Sequence, residues 1–163
     1  MGTSIAPDAI GGEFDVLRKC NFKLLISKVE IPALDIISAP YPKLGVTELE
    51  IHYQNSKVKL AGKADVVQDF PLKVRDRLDK SSRKAISDWF KSVYDPSTGV
   101  IGKPSVYKKD GTLVMMNPQG EDVATWKLHG VWPKKVEYGD GDVSSADPVE
   151  ITVDLSVDYC VLQ

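Results

Sequence analysis

This sequence is short of nearly everything that marks a chemical site. It has two histidines and two cysteines in 163 residues. Cys20 and Cys160 stand near opposite ends of the chain, at no metal-ligand spacing. They read as two reduced thiols, with a bridge between terminal strands or between neighbouring subunits as the alternative. His52 and His129 lie in separate strand-like runs without local ligand partners, and read as residues of polar strand faces. There is no GxSxG elbow, no GxxxxGKS/T phosphate loop, no GxGxxG after a strand and no HExxH. The residues therefore give no enzyme: no catalytic, cofactor-binding or metal-ligating set is expected.

An excess of one charge is missing too. The formal net charge is -2, so no global field draws the chain to nucleic acid or to an anionic membrane. No apolar run approaches the roughly 18–20 residues that span a bilayer, and no membrane insertion is expected. The first 20 residues lack a basic start and do not read as a secretory signal.

Two local features look chemical at first sight. In DGDVSSAD, Asp140 and Asp142 occupy the first and third positions of a calcium-type loop. Ser145 stands where the sharp-turn glycine belongs, and Ile151 where the bidentate glutamate belongs, so a solvated hairpin loop is the better account. A basic run, Lys73, Arg75 and Arg77 continuing to Lys80, Arg83 and Lys84, invites phosphate contacts. No aromatic residues interleave it. A nucleic-acid-binding module using this strand stays as one alternative, and a small β-barrel holding an apolar ligand as another.

What is present is β patterning. With 42% hydrophobic residues, the chain can bury a substantial core. Residues 150–163, EITVDLSVDYCVLQ, place Ile151, Val153, Leu155, Val157 and Tyr159 on one side of an extended strand, and Glu150, Thr152, Asp154, Ser156 and Asp158 on the other. Strands are also expected over 21–31, 48–53, 57–61, 69–78, 105–108, 113–116, 122–131 and 135–138. Gln54-Asn55-Ser56 turns a hairpin between the second and third of these. The prolines at 32, 40 and 42 argue against a regular interior element between 32 and 42. Trp132-Pro133 is expected to break a strand.

Over 82–94 the period changes: Ala85, Ile86, Trp89, Phe90 and Val93 form a helical stripe that covers one face of the β structure. Asp79, Ser81 or Ser82 can cap its first turn. Strands joined by short turns, with one helix, predict a mainly β fold, an antiparallel sandwich or barrel with one flanking α-helix. The organisation expected is an N-terminal arm over 1–20 and a single domain over 21–163.

Several segments, taken in order, resemble the tail tube proteins of contractile bacteriophages and the inner tube proteins of contractile injection systems, to which the type VI secretion tube is related. They are NFKLLISKVE (21–30), YQNSKVKLAGKADVVQDFPLKVRD (53–76), the helix closing in ISDWFKSVYD (86–95), GKPSVYKKDGTLVMMN (102–117), and WKLHGVWPKKVEYGDGD followed by VEITVDLSVDYC. The resemblance covers the chain from about residue 21 onward, and leaves the arm outside it.

It implies an assembly. Six subunits would close into a ring with a continuous inner β-wall, and rings would stack into a hollow conduit for DNA or protein cargo. Closure removes exposed sheet edges, and stacking lets one subunit polymerise. Glu150, Asp154 and Asp158 would then face the lumen, where carboxylates give a phosphate backbone nothing to bind. Glu48, His52, Lys57 and Lys59 of the hairpin, with Lys73, Arg75 and Arg77, are the expected contacts between subunits or rings. Implied partners are further copies of the chain, a sheath protein, baseplate or hub and terminator proteins, and a tape measure protein or cargo in the lumen. The implied place is a virion tail or a contractile injection particle, assembled in the bacterial cytoplasm.

Overall fold

Alternating side chains become sheet along most of the chain. The computed structural model describes residues 16–65 and 69–163; the expected arm lies, over residues 1–15, outside the described residues. The described strands are β1 (Phe22–Ile26), β2 (Ile36–Ser38), β3 (Gly45–Tyr53), β4 (Ser56–Asp65), β5 (Phe70–Arg75), β6 (Tyr94–Asp95), β7 (Val100–Ile101), β8 (Lys109–Met116), β9 (Asp122–Glu137), β10 (Glu150–Ser156) and β11 (Tyr159–Leu162). Helix α1 (Ser81–Val93) follows β5, and a single helical turn, α2 (Pro104–Tyr107), precedes β8.

The main sheet runs β1-β8-β9-β10-β5-β2, antiparallel throughout, with β11 also on β9. β9 joins its two parts. From Asp122 to Val131 it pairs with β8, and from Trp126 to His129 with β11. From Trp132 to Glu137 it pairs with β10. One strand therefore belongs to two antiparallel layers. Leu24, Leu113, Leu128 and Val131 from one layer meet Phe70, Leu72, Val74, Ile151, Val153 and Leu155 from the other, with Ile86 and Trp89 of α1, in a single buried cluster. Each such side chain contributes about 1.5–3 kcal/mol when fully buried.

The expected helix is present, one residue earlier at each end. Its buried positions are Ser82, Ile86, Trp89 and Val93, a helical stripe in which Ala85 and Phe90 are half-buried flanks. Lys80 takes the left-handed conformation at its start, φ 59°, while the Asp79 carboxylate accepts hydrogen bonds from Ser81 N at 3.1 Å and Ser81 Oγ at 3.0 Å. The backbone donor, then the hydroxyl, holds the Asp79 carboxyl below its ordinary range. The Trp89 indole donates to the Tyr107 carbonyl at 2.8 Å, which ties α2 to α1.

Other expectations are corrected. The strand over 21–31 ends at Ile26, because Lys28 turns at φ 60°. Residues 105–107 lie in α2, where Pro104 suits the first helical position, and Lys108 caps it in an extended conformation. The proline-punctuated stretch 32–42 adds a 3-10 turn (Ala33–Asp35) and, at the sheet's edge, the short strand β2.

Trp132-Pro133 does not break β9. Pro133 sits nearly wholly buried beside a register shift that leaves Lys134 as the extra residue between the pairs Asp154↔Lys135 and Leu155↔Pro133. A bulge is where a strand tolerates a missing donor. A second irregularity falls at Gly130, whose φ is 68°.

The terminal strand is two strands. β10 ends at Ser156, Val157 stays buried, and the chain restarts as β11 at Tyr159. Alternation slips across this bend, so Tyr159, expected in the core, is 51% exposed and Cys160 is buried.

Cys20 is exposed, Cys160 is buried, and both are free. Burial pushes the Cys160 thiol above its ordinary pKa, and the thiolate is the reactive form. A maleimide should label Cys20 at once and Cys160 only in denaturant; equal labelling rates in the folded protein would contradict the burial.

Candidate assembly surfaces

The β3–β4 hairpin has no core of its own. Its two-residue turn places Gln54 at φ 52°, and every residue of both strands is exposed. Register sorts its side chains into two faces. Leu49↔Leu60, Ile51↔Val58 and Tyr53↔Ser56 lie on one; Glu48↔Ala61, Glu50↔Lys59 and His52↔Lys57 lie on the other. On the charged face Lys59 reaches Glu48 at 2.9 Å and Glu50 at 3.8 Å. Lys57 reaches Glu50 at 3.4 Å, and His52 Nε2 lies 3.8 Å from Glu50. Pairs this open contribute about 0–1 kcal/mol each.

Near the hairpin base, at a bulge, the Thr47 hydroxyl accepts from Lys63 N at 2.8 Å and donates to Lys63 O at 3.0 Å. The apolar face is the open question. Leu49, Ile51, Val58 and Leu60 are each about half exposed and Tyr53 is 68% exposed. A lone two-stranded ribbon is marginal in water, and a contiguous apolar face of this kind marks a contact surface.

The second surface is the polar side of the layer formed by β2, β5, β10 and the end of β9. Burial alternates along β5 and β10, so Glu150, Thr152, Asp154 and Ser156 do share the side away from the core. They are not a lone acidic ladder. Glu150 is paired with Arg75, Thr152 with Lys73 and Glu137, and Asp154 with Pro71 and Lys135. Lys135 makes an ion pair with Glu137. The hydrogen bond and charge of Glu137, then the charge of Asp154, raise the Lys135 pKa.

Asp158 stands apart from Glu150 and Asp154, at the bend between β10 and β11. Lys108 Nζ holds both its oxygens, at 2.9 and 2.7 Å. The same carboxylate lies over Gly130: an added Cβ there would fall 2.1 Å from Asp158 Oδ2 and 2.9 Å from Asp158 Cβ. Next to it the His129 ring stacks on Tyr159, centroids 4.6 Å apart, with His129 Nδ1 3.4 Å from Asp110.

Arg77 also leaves its expected set. It lies past the end of β5, and its guanidinium pairs with the buried Asp35 carboxylate, whose other oxygen accepts from Ser82 Oγ at 2.6 Å. Arg83 pairs with Asp76 and lies 5.7 Å from the Tyr138 ring centroid. The basic run is thus divided among separate partners, which weakens the nucleic-acid reading. The residues that sequence reasoning missed, Asp35, Lys108, Lys135 and Glu137, come from the proline-rich connector, the α2–β8 junction and the end of β9. Only the fold brings them to the expected residues.

The described residues thus present an uncovered two-faced hairpin and charge-matched polar strands. Residues 18–160 match the T4-like virus tail tube protein gp19 family; the chain belongs to this family and is a structural tube subunit. Solved structures share the fold. One is from an extracellular contractile injection system, the PVC sheath/tube terminator in the extended state: TM-score 0.77 at 19% identity, covering 93% of this chain and 99% of that one. Another is from the cap of the anti-feeding prophage, the AFP tube terminating cap: TM-score 0.76 at 16% identity, covering 93% of each chain. A third is from the PVC sheath-tube complex in the extended state: TM-score 0.72 at 19% identity, covering 98% of this chain and 99% of that one. No curated protein sequence matches it.

Proposed function

We propose that residues 21–163 act as one tube-forming domain, with 1–20 as an arm, and that six copies close into a ring. Rings stack into a hollow conduit within a virion tail or a contractile injection particle. The uncovered apolar face of the β3–β4 hairpin carries this reading, because a second copy is the partner that satisfies it in every subunit of a symmetric assembly. The hairpin reaches a neighbour in the same ring or the next. Its charged face, with Glu48, His52, Lys57 and Lys59, adds weaker contacts between subunits or rings. The polar face bearing Lys73, Arg75, Glu150 and Asp154 lines the bore, and Asp158 marks the seam beside it. Sheath, baseplate and terminator proteins meet the outside and the ends, as the solved complexes of similar chains support.

Negative-stain microscopy of the purified chain over a range of concentration and salt tests this. Rings and hollow rods of uniform diameter are expected. Discrete monomers at every concentration would defeat the reading.

A further inference from the structure

On the reading that the polar β5–β10–β9 face lines the bore, we infer that the bore is built to pass polypeptide rather than nucleic acid. The register sets Arg75 beside Glu150 and Lys135 beside Asp154, while Lys73 and Glu137 flank Thr152 from its two sides. Three bases, Lys73, Arg75 and Lys135, therefore share a face with three acids, Glu137, Glu150 and Asp154. The hairpin repeats the balance, with Lys57 and Lys59 against Glu48 and Glu50. Asp158, the remaining acid expected in the lumen, is held by Lys108.

Opposite charges one strand apart, about 5 Å, cancel well inside a Debye length of about 8 Å. An unfolded polypeptide carrying both signs meets no net field along such a wall. It forms only exposed pairs worth about 0–1 kcal/mol, which exchange readily as it moves. A nucleic acid differs because all its charges have one sign. Its phosphates recruit the long, exposed side chains of Lys73, Arg75 and Lys135, each contact releasing counterions, while the acids offer it nothing. Repeated around a ring and along a stack, those contacts hold a polyanion in place. A wall meant for DNA would need its carboxylates uncompensated.

The experiment uses assembled tubes of the full chain, pelleted with either of two labelled probes: a single-stranded DNA oligomer, or an unfolded polypeptide of equal Lys and Glu content. The polypeptide should stay in the supernatant at every salt concentration. The DNA should pellet at low salt and lose at least about tenfold in retention between about 50 and about 200 mM salt. Tubes carrying Lys73→Gln with Arg75→Gln, both outside the core, should lose most of the low-salt DNA retention. DNA left in the supernatant by unmodified tubes at low salt, or a balanced polypeptide that pellets with them, would overturn the inference. A density map of the same tubes separates the two levels. Arg75 and Glu150 on the outer surface would overturn the lining itself. The same residues in the bore, with no DNA held, would overturn the cargo class alone.

Discussion

Gly130→Ala is expected to lower the stability of the subunit by about 2–5 kcal/mol, combining a left-handed backbone that a Cβ disfavours with overpacking. Gly130 has φ 68°, and the new Cβ would lie 2.1 Å from Asp158 Oδ2 and 2.9 Å from Asp158 Cβ. Rotating the carboxylate relieves the first contact and gives up both Lys108 hydrogen bonds. The second contact is to an atom no rotamer moves, so the bend at Asp158 must shift. Urea denaturation of Gly130→Ala, Asp158→Ala and the double variant divides the effect. The double variant should recover the part due to the carboxylate, and keep the Cβ contact together with about 1–2 kcal/mol of backbone strain. A single variant as stable as the parent would show that the bend is loose.

The second large effect is on assembly and leaves folding alone. Leu49→Lys with Ile51→Lys changes two residues of β3 that face no part of their own subunit's core. The thermal unfolding of the unassembled subunit should move little, as is usual for surface substitutions. If both side chains are covered by a neighbour, losing their burial removes about 3–6 kcal/mol per contact, which raises the concentration needed for assembly by about 10²–10⁴-fold. Sedimentation across a dilution series reads this directly. On the charged face, Glu48→Gln with Lys59→Gln should shift assembly far less, because exposed pairs contribute little. Rods forming from the double-lysine variant at the parent concentration would remove the hairpin from the interface.

How much of this was legible in the sequence varies with the range of the interaction that decides it. The helix stripe and the alternation of β5 and β10 are set by neighbours along the chain, and a period reads them directly. The hairpin turn was legible for the same reason, although the ladder runs further than its most β-like residues, from Gly45 to Asp65. β9 was misread at Pro133 because the bulge that accommodates it is defined by the partner strand β10. Tyr159 was misplaced because the slip at Val157–Asp158 falls where the chain packs over Gly130, a neighbour far away in sequence. The acids Glu150 and Asp154 were found by their spacing. Their neutralising partners were only half visible, since Lys135 reaches that face through register with β10, and Lys108 reaches Asp158 from the start of another layer.

The bare hairpin has a kinetic consequence. In a lone subunit its two strands gain nothing from burial, and its tip bends through Gln54 at a φ better suited to glycine or asparagine. Docking must therefore hold the ribbon straight at the moment of arrival, and two loose ribbons meeting in solution each bear that entropic loss. A subunit landing on a finished rim bears it once, against a template already rigid. Growth should thus show a long lag that pre-formed seeds abolish, keeping the free subunits dispersed until a starting platform is in place.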